Sequence, residues 1–569
     1  MTALHSQTPP RAVPWRGLLL LWLAAVVLAV AGLGNLPLRD WDEGIVARVS
    51  LEISTRGLPE GWLPTIWGSP YLNKPPGLHV LIAAAIGLWR QLSQAPAQAL
   101  PPEWVVRLVP ALLSSLMVPV GGLVQLQLRP GDNRAALATG AILLTLLPVA
   151  RHGRLAMLDG AQLTAMGLLW WALLRSRSNR PGAGWRWGLA AGLAGSALLM
   201  LKAPILLPVL AAGLAGLVLD PERPRRSLAP LLAALGVGLL PGLAWHGWHA
   251  LMRGSDALWL WGGDGVTRVL LDAGEGSDLG WRVPVIEVLE GGWPWLPLWP
   301  LAVVIAWRQR HRSWGRWCLV LQLGMAGSIL PLRTQLPWYS HPLWLPFALL
   351  CGPLLAALVL PTEDLGRQRF LRRLPWFWAL LGGALLLLPL VDLLAGGSRL
   401  APLAPLAPLA PLVIPAGLGL LVGGILLSRP RAAGRQLGAG LLVAGWWLSL
   451  LLFFQSPLWN WELNETWSVL PVAELARSGN AGERQQPVYL AGKAAQRPSL
   501  RWYAQGAIER LPRGERLSAL PPGGFDFIQR AVDPLPDSLL ERNVSCRLEG
   551  LAEPDWQRWR CRLPGDPAG

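Results

Sequence analysis

The segment after the first apolar run opens Arg39-Asp40-Trp41-Asp42-Glu43-Gly44 and closes Gly68-Ser69-Pro70-Tyr71-Leu72-Asn73-Lys74-Pro75-Pro76-Gly77. Carboxylates at one end of a loop and a lysine in a rigid Pro-Pro turn at the other suit a group transfer. Asp42 could take the proton of an acceptor hydroxyl, and Lys74 could hold the negative charge of a departing phosphate. Lysine is rare in this chain, with only Lys74, Lys202 and Lys493 among 569 residues, so each asks for a reason. The sequence contains no Gly-x-x-x-x-Gly-Lys phosphate loop and no dinucleotide fingerprint. An activated group carried on a lipid phosphate is therefore the natural donor. The Asp40-x-Asp42 spacing also matches the metal-binding pattern of nucleotide-sugar transferases, although two carboxylates two apart are common by chance.

A membrane scaffold must position these residues. Hydrophobic residues make up 52% of the chain and charged residues 15%, which indicates a polytopic membrane protein rather than a soluble multidomain enzyme. The net charge of +16 does not imply nucleic-acid binding, because the arginines sit in short clusters between apolar runs and form no single basic face. Thirteen apolar stretches are long enough, or nearly so, to cross a bilayer: 16–34, 104–127, 135–150, 161–175, 186–201, 203–219, 228–250, 293–307, 315–332, 341–360, 374–396, 402–427 and 437–454. The run 76–91, which carries His79, is either a span or a helix lying against the membrane.

Treating 76–91 as non-crossing puts the arginine clusters in every second loop, as the positive-inside rule requires. The clusters are Arg129 and Arg134; Arg175, Arg177 and Arg180; Arg223, Arg225 and Arg226; Arg308, Arg310 and Arg312; Arg367, Arg369, Arg372 and Arg373; and Arg429, Arg431 and Arg435. The N-terminus is then cytoplasmic, segments 35–103, 151–160, 251–292, 333–340 and 455–569 lie outside, and Lys202 marks an outer turn. The run 17–32 resembles a signal peptide and reads as a retained first helix.

The expected architecture is an all-α polytopic membrane domain, 1–455, whose first outer loop, 35–103, is catalytic, followed by a small C-terminal α/β domain, 456–569. In that second domain 487–490, 524–528 and 545–548 read as strands. Cys546 and Cys561 share it and form a disulfide in an oxidising compartment or remain free thiols, while Cys318 and Cys351 lie in apolar runs. The Ala-Pro-Leu tract 401–412 receives no function.

An acidic pair after the first helix, with a Lys-Pro-Pro turn some thirty residues later, resembles the 4-amino-4-deoxy-L-arabinose transferase and protein O-mannosyltransferase superfamily of GT-C glycosyltransferases. Arg154-Leu155-Ala156-Met157-Leu158-Asp159 resembles that family's second outer-loop motif, Leu201-Lys202-Ala203-Pro204 a third, and Thr334-Gln335-Leu336-Pro337-Trp338-Tyr339 a fourth. The resemblance implies about thirteen helices with the C-terminal domain outside. It also implies inverting transfer of a hexosyl or pentosyl group from a polyprenyl-phosphate donor to a lipid, glycan or protein acceptor in the inner membrane. It makes Asp42 the catalytic carboxylate, with Asp159 supporting the site and Lys74 and Tyr339 on the donor phosphate. Lys202 joins them as a phosphate contact, and Glu43 and Tyr71 are the candidate substrate contacts. Asn73 stands where arabinose transferases usually carry Glu, and Gln335 where many members carry Lys. No cofactor is implied, and a divalent metal near the first loop stays open.

Each residue has a plainer role to weigh against this one. Asp159 could pair with Arg151 or Arg154 across an outer turn, Lys202 could snorkel at a helix end, and Asp40 could cap a helix junction. The pairs His246 and His249, and Glu287 and Glu290, have ligand spacing on a helix, but with Asn73 in place of an acid the structural reading is preferred. The tryptophans suit interfacial belts. A lipid or glycan transporter or flippase is the alternative function; it calls for mid-helix charges and internal repeats, neither of which is clear here. A structural or assembly protein would make the first-loop carboxylates dispensable.

Overall fold

The computed structural model describes residues 12–57, 60–96, 99–223, 227–262, 280–333, 335–361, 369–395, 409–459, 467–479, 487–490, 497–506, 508–512, 520–521, 523–540 and 544–563. Thr334, Lys493, Arg225, Arg226, Arg367, part of 251–292 and residues 401–408 of the Ala-Pro-Leu tract lie outside them. The chain forms two compact units. One comprises Met1–Asn35, Trp62–Pro64 and Pro70–Trp459; the other comprises Leu36–Gly61, Thr65–Ser69 and Asn460–Gly569.

The first unit is helical and built for a bilayer. Among the described residues seven helical stretches are long and apolar enough to cross a membrane, or eight if the pair Asn133–Thr145 and Leu147–Gly153, bent by 61°, is one broken span. Proline in the first turn of Leu147–Gly153 accounts for the break, since it cannot donate the hydrogen bond that would continue the helix. The expected thirteen are not all reached by this measure, because Trp15–Val30, Asp159–Arg175, Leu298–Arg308 and Ser313–Ile329 are shorter, at 16, 17, 11 and 17 residues. The stretch Ala183–Val218 is a hairpin. At Lys202 the backbone turns extended, with φ −153° and ψ 90°, and Asp220 beyond its far end bonds Arg177 before its near end. Lys202 thus sits at a turn, as expected.

The loops sort to two ends. Arg177 reaches Asp220, Ser313 and the Gln127 carbonyl, so four arginine-bearing loop regions converge. Asp159 meets Lys202, and Arg151 meets Glu287 at 3.5 Å, at the other end of helix Asp159–Arg175. Helices Ala183–Lys202 and Ala229–Arg253 run parallel in close contact. A Cβ at Gly188 would lie 2.4 Å from the Leu231 carbonyl and one at Gly192 2.2 Å from the Leu235 carbonyl, so glycine is what lets these backbones touch.

The second unit carries a five-stranded mixed sheet. Its strands are β1 (Val488–Leu490), β2 (Ile508–Arg510), β3 (Phe525–Arg530), β4 (Ser545–Ala552) and β5 (Trp556–Arg562), in the order β2-β1-β3-β5-β4. β1 pairs parallel with β2 and β3, and β5 pairs antiparallel with β3 and β4. The three strands expected from sequence are β1, β3 and β4. Phe525, Phe527, Tyr489, Leu511, Leu539 and Cys561 make its core. Cys546 and Cys561 face each other across β4 and β5 and are disulfide-bonded. Cys318 and Cys351 are buried free thiols in the helical unit.

Candidate functional site

Three expected site residues meet in the helical unit, brought there by three separate segments. Asp159 is the first residue of helix Asp159–Arg175 and is buried. Lys202 ends helix Ala183–Lys202, and its Nζ lies 3.6 Å from Asp159 Oδ1. The same ammonium sits 4.7 Å from the ring centre of Tyr339, in the short 3₁₀ turn Pro337–Ser340. Such a contact orients the lysine without saturating it, and an ammonium has three donors to give. Lys202 is therefore tied into a site rather than snorkelling, and the ion pair of Asp159 is with Lys202. Arg154 instead donates to the Ala31 carbonyl and stacks on Phe454 and Trp459 at 4.3 and 4.5 Å.

Close packing brings the Lys74 turn to the same helix end. A Cβ at Gly77 would lie 2.6 Å from the Met200 carbonyl, so the Lys-Pro-Pro-Gly turn backs directly onto the residues preceding Lys202. The segment that follows Lys74 thus packs against the last turn of the helix that Lys202 ends. Tyr71 is buried against His79, with ring centres 5.5 Å apart, and donates its backbone N–H to the Pro64 carbonyl at 2.9 Å. Burial pushes the His79 imidazole down to about 4; the Pro75 carbonyl opposes this and the Lys74 charge adds to it. His152 and His341, which sequence reasoning passed over, lie edge to face at 4.9 Å beside Trp338. Their only sequence signal is adjacency to the second and fourth motifs.

The second unit holds the carboxylates of the first loop. Asp42 and Glu43 begin helix Asp42–Arg56. Asp42 is half-buried; Glu43 is fully buried and accepts the Arg39 backbone N–H at 2.8 Å, fixing the turn that precedes Asp42. Asp40 does not cap this helix. It is buried and accepts the Ser499 backbone N–H at 2.7 Å, while its other oxygen pairs with Arg497. The Arg497 guanidinium lies 4.1 Å over the Trp467 ring and donates to the Trp467 carbonyl at 3.0 Å. Leu38 N–H donates to the Tyr503 hydroxyl at 2.7 Å. A Cβ at Gly44 would fall 2.5 Å from Ser499 N, so only glycine permits this approach. The start of the Asp42 helix is thus bolted to residues 497–503 of the C-terminal segment.

Comparison with known proteins bears on this arrangement. Residues 72–219 match the family model described as dolichyl-phosphate-mannose-protein mannosyltransferase. The crystal structure of ArnT from Cupriavidus metallidurans bound to undecaprenyl phosphate superposes with a TM-score of 0.68 at 19% identity, covering 98% of this chain and 100% of that one. The apo state of the same protein gives 0.66 at 19% identity, covering 98% and 99%. No curated protein sequence matches the chain.

The chain has the GT-C fold. Within it, the matched stretch takes in Lys74, Asp159 and Lys202 and stops short of Asp42 and Tyr339. The other ligand-spaced pairs have structural partners: His246 Nε2 donates to the Leu199 carbonyl at 3.1 Å, His249 stacks on Trp245 at 4.8 Å, and Glu287 pairs with Arg151. No group of three or more His, Cys, Asp or Glu side chains arranged to hold a metal ion occurs among the described residues. Both oxygens of Asp40 are already engaged by protein donors, so the Asp40-x-Asp42 pattern does not fit a shared metal site.

Proposed function

We propose that this protein is a multi-pass membrane glycosyltransferase that moves a sugar from a polyprenyl-phosphate donor to a lipid (lipid A-like), glycan or protein hydroxyl. The observation that carries this reading is the meeting of Lys202, Asp159 and Tyr339, with the Lys74 turn packed onto the same helix end. Cations so placed can neutralise the donor phosphate as the sugar–phosphate bond breaks, and a low-dielectric site strengthens that stabilisation. Asp159 keeps Lys202 oriented, and Asp42 takes the acceptor's proton. Attack of the acceptor oxygen opposite the departing phosphate inverts the anomeric centre. The GT-C fold supports this assignment, and the related ArnT crystal structure contains undecaprenyl phosphate.

The reading places the protein in the inner membrane, with a transmembrane domain of 1–455, the arginine-bearing loops in the cytoplasm and the C-terminal domain, 456–569, in the periplasm. Two assays test it. Purified protein should transfer a labelled sugar from a lipid-linked donor, and mass analysis of envelope lipids and glycans with and without the protein should reveal a lost glycosyl mass. Absence of both a transferred label and a mass change would refute the assignment.

A further inference from the structure

At the arginine-bearing end of the helical unit, the N-termini of two long parallel helices, Ala183–Lys202 and Ala229–Arg253, come side by side. The N-cap residues Gly182 and Leu228 give no side-chain cap, and Ser227 Oγ accepts the Ala229 N–H at 3.2 Å. Each N-terminus carries roughly half a positive charge, and in parallel neighbours these charges repel. A cavity of about 300 Å³ opens between the two ends, lined by Arg177, Arg180, Arg223, Trp185 and Ser227 over an apolar floor of Leu217 and Leu231, and its lining contains no carboxylate.

The three arginines are not equivalent. Arg177 is consumed by Asp220, Ser313 and the Gln127 carbonyl. Arg223 is different: the residue is part-exposed, but its Nη1 is buried and has no hydrogen-bond partner among the described residues. A buried guanidinium nitrogen left without an acceptor is costly, so a ligand oxygen is the expected completion. Trp185 on the cavity wall is 49% exposed, and Leu232, Val218 and Leu219 nearby are also exposed on this membrane-spanning unit.

We propose that this cavity binds the phosphate of an anionic headgroup, with Arg180 and Arg223 as its cationic contacts and the first-turn N–H groups of helix Ala183–Lys202 as donors; the second helix, with Pro230 in its first turn and the Ala229 N–H held by Ser227, adds its dipole. The apolar floor and the exposed tryptophan favour a phospholipid, whose acyl chains would continue along the lipid-facing surface. This site is at the opposite end of helix Asp159–Arg175 from Lys202 and does not depend on the proposed transfer reaction.

The test titrates the purified full-length protein in zwitterionic detergent with dioctanoyl phosphatidylglycerol, dioctanoyl phosphatidylethanolamine and inorganic phosphate. Native mass and thermal stability are the readouts. One phosphatidylglycerol should bind in preference to phosphatidylethanolamine, and the double variant Arg180→Ala/Arg223→Ala should weaken it roughly 30-fold, about fivefold per guanidinium. Arg180→Lys/Arg223→Lys keeps both charges and should stay close to the parent, which guards against an alanine variant that fails to fold. Binding of inorganic phosphate with the same variant dependence would support the anion site and assign it to the free ion. Equal binding of phosphatidylglycerol by the parent and a folded alanine variant, or no anion binding to the parent, would overturn the proposal.

Discussion

Helix Asp159–Arg175 separates two carboxylate–cation pairs of opposite character, about 25 Å apart for 17 residues at 1.5 Å each. Near its C-terminal end, Asp220 accepts from Ser313 Oγ at 2.5 Å, the Glu222 backbone N–H at 3.0 Å and Trp317 Nε1 at 3.0 Å, and pairs with Arg177. Burial pushes that carboxyl up, but the donors around it outweigh burial and hold it below the usual range. At the other end, Asp159 has a single ion pair among the described residues, to Lys202 at 3.6 Å, and Lys202 leans on an aromatic face. A carboxylate whose lone pairs are filled by donors from several loops is a fastener. One that meets a single ammonium leaves that ammonium with donors to offer a phosphate. In the second unit, within three residues, Asp40 is buried with both oxygens bonded whereas Asp42 is half-buried.

The largest expected effect is at Asp42. Asp42→Asn keeps size and hydrogen bonding but cannot accept a proton, so transfer from a lipid-linked donor should fall about 10²- to 10⁴-fold in folded protein. A near-parental rate would remove Asp42 from the chemistry and erase the distinction from Asp40. Next comes the bolt behind it. Arg497→Ala leaves the Asp40 carboxylate buried without its counter-charge, and misplacement of the adjoining helix can cost up to about 100-fold in turnover. Hydrogen exchange should rise in 39–50 while β1 and β3 stay protected, and Arg497→Lys should recover part of both losses. Unchanged exchange and turnover would mean that the Asp42 helix is held by something else.

A crossed pair of substitutions tests the two ends against each other. Asp159→Asn should lower turnover roughly tenfold, about 1.4 kcal/mol of transition-state stabilisation, with little change in melting temperature. Asp220→Asn should do the reverse, destabilising the protein by about 3–5 kcal/mol, as removal of one partner from a buried pair typically does, while each folded molecule turns over normally. The opposite pattern would show that donor count does not separate fasteners from working groups.

Much of this was legible in the sequence because bilayers impose coarse rules. Apolar runs and arginine alternation announced a polytopic helical protein, and the four motifs, read through their resemblance to a family, nominated Asp159, Lys202 and Tyr339, which do meet. The number of helices was less legible, since a run of 16 or 17 residues can cross, tilt or stop short depending on its neighbours. The partner of Asp40 was invisible. Arg497 is 457 residues away, one arginine among many, and nothing in its local sequence sets it apart. Gly44 and Gly77 were equally silent, because the need for glycine arises only when a distant backbone arrives.

His79 adds a pH axis. Its folded pKa, about 4, lies below the ordinary 6.5, so the unfolded chain binds the proton more readily. Its contribution to stability is therefore complete above about pH 6.5 and is lost as pH falls toward 4. Melting temperature measured across that window should fall less in His79→Gln than in the parent. An identical pH profile in the two would show that His79 is not buried in its neutral form.

The smallest effect on chemistry is expected at the disulfide, which belongs wholly with the fasteners. Chain entropy alone would assign a bridge closing a loop of this size about 3 kcal/mol. Here Cys546 and Cys561 are already direct partners in the β4–β5 ladder, 15 residues apart in sequence, so part of that closure is made by the hairpin itself. Replacing both by serine should therefore cost less than the entropic figure. The buried Cys561 also packs in the sheet core with Phe525 and Phe527, and a hydroxyl there adds a desolvation penalty that alanine does not. Comparing Cys546→Ala/Cys561→Ala with the serine pair separates the two contributions. Both should lower the melting temperature, serine more than alanine, and neither should change turnover well below the transition. A drop in turnover at temperatures where the domain remains folded would instead make this sheet part of the catalytic machinery.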